Sequence, residues 1–200
     1  MISVVIATYG DESWAELARE RALPSVQDMA EDIVIGHDPE GTIASVRNEL
    51  AAKAEGDWLC FLDADDELAP GYLRAMQQRA TNEMFLLTPI VRQVINGRPR
   101  GLMFYSEVNL ASGNWLIIGT LISRNLFERA GGFGDYPHGF EDWSLWSKCA
   151  KLGARVLKVR RAIYIQHVDP MSKHRQGWKD KQWQATTHKR VQADLEAWTP

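Results

Sequence analysis

The chain alternates between short apolar runs and longer amphipathic stretches. Ile2 to Ala7 and Trp58 to Leu62 are unbroken apolar runs rich in β-branched or aromatic side chains, the pattern of strands buried on both faces. Asp32 to Gly36 reads as another strand, ending in His37-Asp38-Pro39. Ser13 through Met29 reads as a helix interrupted at Pro24. Thr42 to Ala54 is a second helix, with Ile43, Val46, Leu50 and Ala54 at helical spacing, and Gly71 to Ala80 a third. Strand, helix, strand, helix, strand predicts an α/β fold: a right-handed, mostly parallel sheet flanked by helices.

The middle of the chain changes character. Met84 to Val94 and Arg100 to Tyr105 are strand-like and flank Asn96-Gly97, a tight hairpin signal, so an antiparallel strand pair is expected here. Val108 to Gly113 reads as a loop, Trp115 to Ile122 as a strand and Asn125 to Arg129 as a short helix. Gly131-Gly132-Phe133-Gly134 reads as a flexible loop. Glu141 to Leu152 is an amphipathic helix stopped by Gly153, and Arg155 to Gln166 a further strand. The polar, basic tail from His174 to Trp198 reads as helical.

Two hundred residues with 45% hydrophobic content suffice for one sizeable core, so a single domain over residues 1–200 is expected. A net charge of −3 argues against a protein that coats duplex nucleic acid. Cys60 and Cys149 show no C-x-x-C spacing and read as buried free thiols. No signal-peptide pattern or membrane-length apolar run is evident, which points to a soluble, cytoplasmic protein without a membrane span.

Candidate chemistry gathers where the Trp58 strand ends in Asp63-Ala64-Asp65-Asp66. Residues two apart on a strand share a face, so Asp63 and Asp65 can aim at one point, with small Ala64 leaving the approach open. Two hard carboxylates at the mouth of a parallel sheet suit Mg²⁺ or Mn²⁺. Asp66 is then free to cap the helix that Glu67 and Pro70 lead into. A solvated acidic turn is the plainer alternative.

Several stretches together resemble a known family. ATYGD after the first strand, SVRNELAAKAEGDW before the acidic turn, FLDADDEL, AGGF and FEDWSLW follow one another as they do in family 2 glycosyltransferases of the GT-A fold, particularly short bacterial and bacteriophage members. The likeness covers about residues 1–167. One departure is that family members carry a further helix and strand between the second strand's acidic loop and the helix bearing Arg47 and Asn48. The resemblance implies transfer of a sugar from a nucleotide-diphosphate donor, with a uracil base, to an acceptor hydroxyl with inversion. It divides the domain into a nucleotide-sugar part (1–107), an acceptor and catalytic part (108–170) and a tail helix (171–200).

On this reading Asp63 and Asp65 hold Mn²⁺ or Mg²⁺ against the leaving diphosphate, with His167 as a further metal contact. Asp142 is the candidate base, kept ionised by the helix N-terminus, with Glu141 beside it at the helix start. Thr8, Tyr9, Asp38, Arg47 and Asp63 are the candidate nucleotide contacts, Arg47 matching the family's nucleobase-contacting arginine. Trp115 and Trp143 are candidates to stack on a sugar face, whereas Trp146, one turn from Trp143, is expected in the core. Lys173, His174, Arg175, Trp178, Lys179, Lys181, Trp183, Lys189 and Arg190 form a basic, aromatic tail that could close over the diphosphate or meet a polyanionic acceptor. The acceptor class stays open among protein, glycan, lipid-linked sugar and modified DNA.

Two enzyme classes with similar local motifs fit less well. An aspartyl phosphatase expects its D-x-D after the first strand, and a nucleotidyltransferase expects a Gly- and Arg-rich loop where this chain has ATYGDE. A catalytically inactive carbohydrate- or nucleotide-binding module of the same fold remains the alternative.

Overall fold

The computed structural model describes residues 1–136, 139–168 and 181–199. β1 (Ile2–Tyr9) is buried along its whole length except Tyr9. Next comes a helical segment wound as α1 (Ser13–Leu17), one π-helical turn (Ala18–Ala22) and α2 (Leu23–Val26). The helix expected to break at Pro24 instead continues through it. The wide turn just before Pro24 accommodates a residue that lacks an N–H and whose ring would clash with the preceding turn.

β2 (Asp32–Asp38) leads to α3 (Ile43–Lys53), which starts on a reciprocal cap: Ser45 N donates to Thr42 Oγ1 at 3.2 Å and Thr42 N to Ser45 Oγ at 2.9 Å. β3 (Trp58–Leu62), β4 (Glu67–Leu68) and α4 (Tyr72–Gln77) follow. β5 (Phe85–Ile95) and β6 (Arg98–Met103) form the expected antiparallel pair, with Asn96 and Gly97 both at positive φ, 51° and 71°. The chain ends with β7 (Ile122–Ser123), α5 (Arg124–Arg129), α6 (Glu141–Lys151), β8 (Arg155–Val168) and α7 (Lys181–Ala197).

Two four-stranded sheets result. In the first, β2-β1-β3-β7, the first three strands are parallel and β7 is antiparallel to β3. The second runs β4-β8-β5-β6, with β5 and β8 parallel. Their ladder slips where Pro89 pairs Val159 but Ile90 pairs Ile163, so residues 160–162 of β8 bulge out. Pro89 offers no N–H to hold that register.

The strand expected over Trp115 to Ile122 shrinks to β7 and a bridge from Leu121 to Leu87. Leu116, Ile117 and Ile118 are buried, yet Thr120 N turns back to Ile117 O at 2.9 Å and breaks the ladder. At Gly119 the Tyr72 hydroxyl donates to the carbonyl at 2.5 Å. The Tyr164 ring lies 2.3 Å from where a Cβ would stand, so the crossing admits only glycine.

α6 ends as expected, Gly153 taking φ 89° while Ala154 N reaches back to Cys149 O at 3.0 Å. Cys60 and Cys149 are buried free thiols. Among the described residues no helix is long and apolar enough to cross a membrane. Lys173, His174, Arg175, Trp178 and Lys179 of the tail lie outside the described residues.

Candidate active site

β1, β2 and β3 are parallel, so their C-terminal ends open on one edge of the sheet, where ligands of such sheets bind. At the end of β3, oxygens of Asp63, Asp65 and Asp66 all lie within 4.8 Å of one another. The three carboxylates play different parts. Asp66 is 4% exposed and does not cap a helix, contrary to the expectation from the sequence. Its Oδ1 accepts from His167 N at 2.7 Å and its Oδ2 from the Tyr164 hydroxyl at 2.9 Å. The residues after it pair with β8 as β4, so α4 starts only at Tyr72, after Gly71 at φ 83°. Burial and the charges of Asp65 and Asp63 push the Asp66 carboxyl well above its usual range.

Asp65 is pushed up to about 6, by burial first and then by Asp63; its backbone oxygen accepts from Arg21 Nη1 at 2.9 Å. Crowded carboxylates held up in this way are a donor set that a hard divalent cation relieves, so the residues fit such an ion. His167 flanks the cluster without being one of its three carboxylates. Its Nε2 lies 2.6 Å from Glu67 Oε1, and the pair ties the turn to β8.

Arg47, 5% exposed on α3, joins this turn to the start of α6. Nη2 donates to Asp63 Oδ1 and Nη1 to Glu141 Oε1, each at 2.6 Å, while the guanidinium lies 5.2 Å from the centre of the Phe133 ring. Burial pulls its pKa down, but Asp63 and Glu141 more than offset that and raise it. The nucleobase contact expected of Arg47 is therefore not what this geometry displays: the guanidinium is buried between two carboxylates and a ring.

The expected flexible Gly131–Gly134 loop is pinned in the process. Asn48 Nδ2 donates to Phe133 O, and Phe133 N to Asn48 Oδ1, both at 2.9 Å, and the Phe133 ring packs on Phe61 and Phe127. Asn48 and Phe133 were missed as supports of the site, although Asn48 stands beside Arg47 in the motif.

Asp142 follows Glu141 at the start of α6. Its Oδ2 accepts from Asn114 Nδ2 at 2.8 Å and its Oδ1 from Trp143 N at 2.7 Å. The helix terminus was expected to keep it ionised. Instead burial, and then the Glu141 charge, push it up to about 7. Asn114 lies in a loop with no motif and carried no sequence signal.

Trp143 moves from the sugar-stacking set to the core. It is 1% exposed, its Nε1 donates to Leu110 O at 2.6 Å, and its ring lies 4.5 Å from that of His188 on α7. A ring with no open face does not stack on a sugar. Trp146 is fully buried, as expected. Trp115, next to Asn114, stays partly open, with Lys158 Nζ 5.5 Å from its ring centre.

The remaining candidates stand at the ends of β1 and β2. Thr8 is 3% exposed, its Oγ1 3.2 Å from Gly36 O and 3.0 Å from His37 Nδ1, whereas Tyr9 is 46% exposed. Asp38 pairs in register with Tyr9 and accepts Glu40 N at 3.0 Å. His37, with Nε2 3.4 Å from Glu12 Oε2, is a polar group at this edge that was not singled out from the sequence.

A family model described as "Glycosyl transferase family 2" matches residues 11–138. The chain belongs to this family. No curated protein sequence matches it. Among solved structures, S. aureus TarS 1–349 in complex with UDP-GlcNAc aligns with a TM-score of 0.61 at 17% identity, over 88% of this chain and 60% of that one. GalNAc-T7 with UDP, GalNAc and Mn²⁺ aligns with a TM-score of 0.64 at 14% identity, over 96% of this chain and 47% of that one. This family 2 chain thus spans about half to three-fifths of these two solved chains, and at these identities the likeness is one of GT-A-like fold.

Proposed function

We propose that this family 2 chain moves a sugar from a nucleotide-diphosphate donor, with uridine as the nucleoside, to an acceptor hydroxyl with inversion, using Mn²⁺ or Mg²⁺. The observation that carries the proposal is the bridge from Asp63 through Arg47 to Glu141. It makes the acidic turn and the start of α6 one site, with the Asp142 carboxyl beside it. Structures of similar fold solved with UDP, UDP-GlcNAc or Mn²⁺ support the donor and cation chemistry.

Asp63 and Asp65 would hold the cation, with His167 as a further contact, and the bound ion supplies Lewis-acid stabilisation of the diphosphate's charge. Thr8, Tyr9 and Asp38 line the nucleotide's end of the sheet. Trp115 offers its open ring surface to a sugar. Asp142 takes the acceptor hydroxyl's proton while the acceptor oxygen bonds to the anomeric carbon and the bond to the diphosphate breaks. Its pKa near 7 suits a base working at neutral pH, and Asn114 fixes which oxygen is presented. Glu141 holds Arg47 rather than a substrate proton.

Release of nucleoside diphosphate from a panel of UDP-sugars with Mn²⁺ tests the proposal. Wild type should release it and Asp142→Asn should not, while both bind the donor. Binding without release by wild type would instead identify an inactive module.

A further inference from the structure

Strands β5, β6 and β8 carry seven of the chain's 23 Lys and Arg residues and no Asp or Glu, in a chain whose net charge is −3. These three strands are thus basic with no acid of their own, and β4 at the far side of the sheet brings its only carboxylate, Glu67. Its outer strand, β6, is exposed at every residue and presents Arg98 and Arg100. Beside it Arg160 lies 5.5 Å and Lys158 5.1 Å from the centre of the Phe104 ring. Arg160 stands on the bulge that Pro89 forces out of β8, and it is exposed. Lys158 is paired with Glu107 at 2.5 Å; among the described residues Arg98, Arg100 and Arg160 have no carboxylate partner.

The same edge exposes apolar side chains. Leu102 is 46%, Met103 39% and Val108 47% exposed, so among the described residues three of the seven large apolar side chains left open to solvent fall within one short segment. Leu102 pairs with Arg92 and Met103 with Val91, so neighbouring side chains point to opposite faces and the edge is apolar on both. A soluble polyanion would be met by the arginines alone and leaves the open Leu and Met without a role. Pairing with another strand is opposed by Pro99, which removes a donor from this edge, and by the arginines that flank it. Cations beside exposed apolar side chains match the boundary between anionic headgroups and acyl chains.

We propose that the β6 edge docks this protein on an anionic lipid surface, with Leu102 and Met103 entering the interface and Arg98, Arg100 and Arg160 meeting headgroup phosphates. The proposal goes beyond the reaction and does not depend on it. It does link to the site: Lys158 touches both Phe104 and Trp115, and Trp115 adjoins Asn114, the donor to Asp142. Docking would thus hold the acceptor side of the site near the lipid.

The test is co-sedimentation of the full chain with vesicles of phosphatidylglycerol and phosphatidylcholine, or of phosphatidylcholine alone. Binding is expected only to the anionic vesicles, weakening as salt rises. Each cation near such a surface contributes about 1 kcal/mol, or roughly fivefold, so Arg98→Ser/Arg100→Ser/Arg160→Ser should weaken partitioning about a hundred-fold at low salt. Leu102→Ser/Met103→Ser should also release the protein. Melting temperature and the thermal shift given by UDP with Mn²⁺ should stay at wild-type values in both variants. Failure of wild type to sediment with anionic vesicles would overturn the proposal. So would full binding by Leu102→Ser/Met103→Ser, or complete displacement by equimolar soluble polyphosphate, since either marks a polyanion surface. Loss of the UDP shift in wild type would count against the proposed reaction and leave the docking result to stand by itself.

Discussion

Two acidic ends meet at Arg47, and they are built in opposite ways. At the end of β3 three carboxylates crowd within 4.8 Å, and one arginine reaches only the first of them. At the start of α6 there are two carboxylates; the same arginine takes Glu141, and Asp142 is left with a neutral amide, Asn114. Both ends hold an acid with a raised pKa, about 6 for Asp65 and about 7 for Asp142, and burial is the leading cause in each. What differs is the remedy each lacks. At the turn, Arg47 on Asp63 and Arg21 on the Asp65 backbone oxygen do not offset three crowded carboxylates, a set that a hard cation fits. Asp142 has only neutral donors on its own oxygens, which suits a group that takes up a proton. The same residue type meets a different environment according to which carboxylates the Arg47 guanidinium reaches.

Removing divalent cations should break this contrast most severely. EDTA is expected to abolish release of nucleoside diphosphate and Mn²⁺ or Mg²⁺ to restore it, with Asp65→Ala folded and inactive; undiminished turnover in EDTA would show that the turn works without a cation. Next, Asp142→Asn should lower kcat by roughly 10²- to 10⁴-fold, about 3–5 kcal/mol of barrier, with donor binding intact. Glu141→Gln should lower it less, and the reverse order would make Glu141 the base.

Arg47→Ala asks whether one cation really joins the two ends. It leaves Glu141 buried without its partner, a loss that typically costs about 3–5 kcal/mol, read as a lower denaturation midpoint. A midpoint at the wild-type value would mean that Glu141 finds other solvation. The smallest effect is the pH response. Asp142 protonates below about 7, so kcat should fall roughly tenfold per pH unit below that and level off above it. A carboxyl raised in the fold binds its proton more tightly folded than unfolded. It therefore makes stability decline as pH rises from the ordinary carboxylate range to about 7, and Asp142→Asn should flatten that slope. An unchanged profile in the variant would assign the titration to another group, Asp65 first.

How far these parts were legible depends on the range of the interactions that set them. Asp63 and Asp65 were readable because strand period and a buried run lie within a few residues of them. Asp66 was misread because its partners, Tyr164 and His167, are 98 and 101 residues away. Arg47 was singled out from the sequence as a nucleobase contact, but its carboxylate partner Glu141 was not foreseen, since Glu141 reaches it only through the fold. Trp143 and Trp146 share a helix and look alike in sequence. Trp143 is buried because Val191 and Leu195 of α7 pack in the same cluster.

The sequence by itself determined the parallel β1-β2-β3 core, the capped α3, the β5–β6 hairpin and the acidic turn at a strand end. Each is a local matter of apolar period, a cap or a turn residue, decided within about a dozen positions. Only the tertiary structure decided that one arginine serves both acidic ends, that burial rather than the helix terminus sets the proton affinity of Asp142, and that Arg98, Arg100 and Arg160 gather beside open apolar side chains at the β6 edge. Burial, charge pairing and surface patches are properties of neighbours in space, and here those neighbours come from segments far apart in the chain.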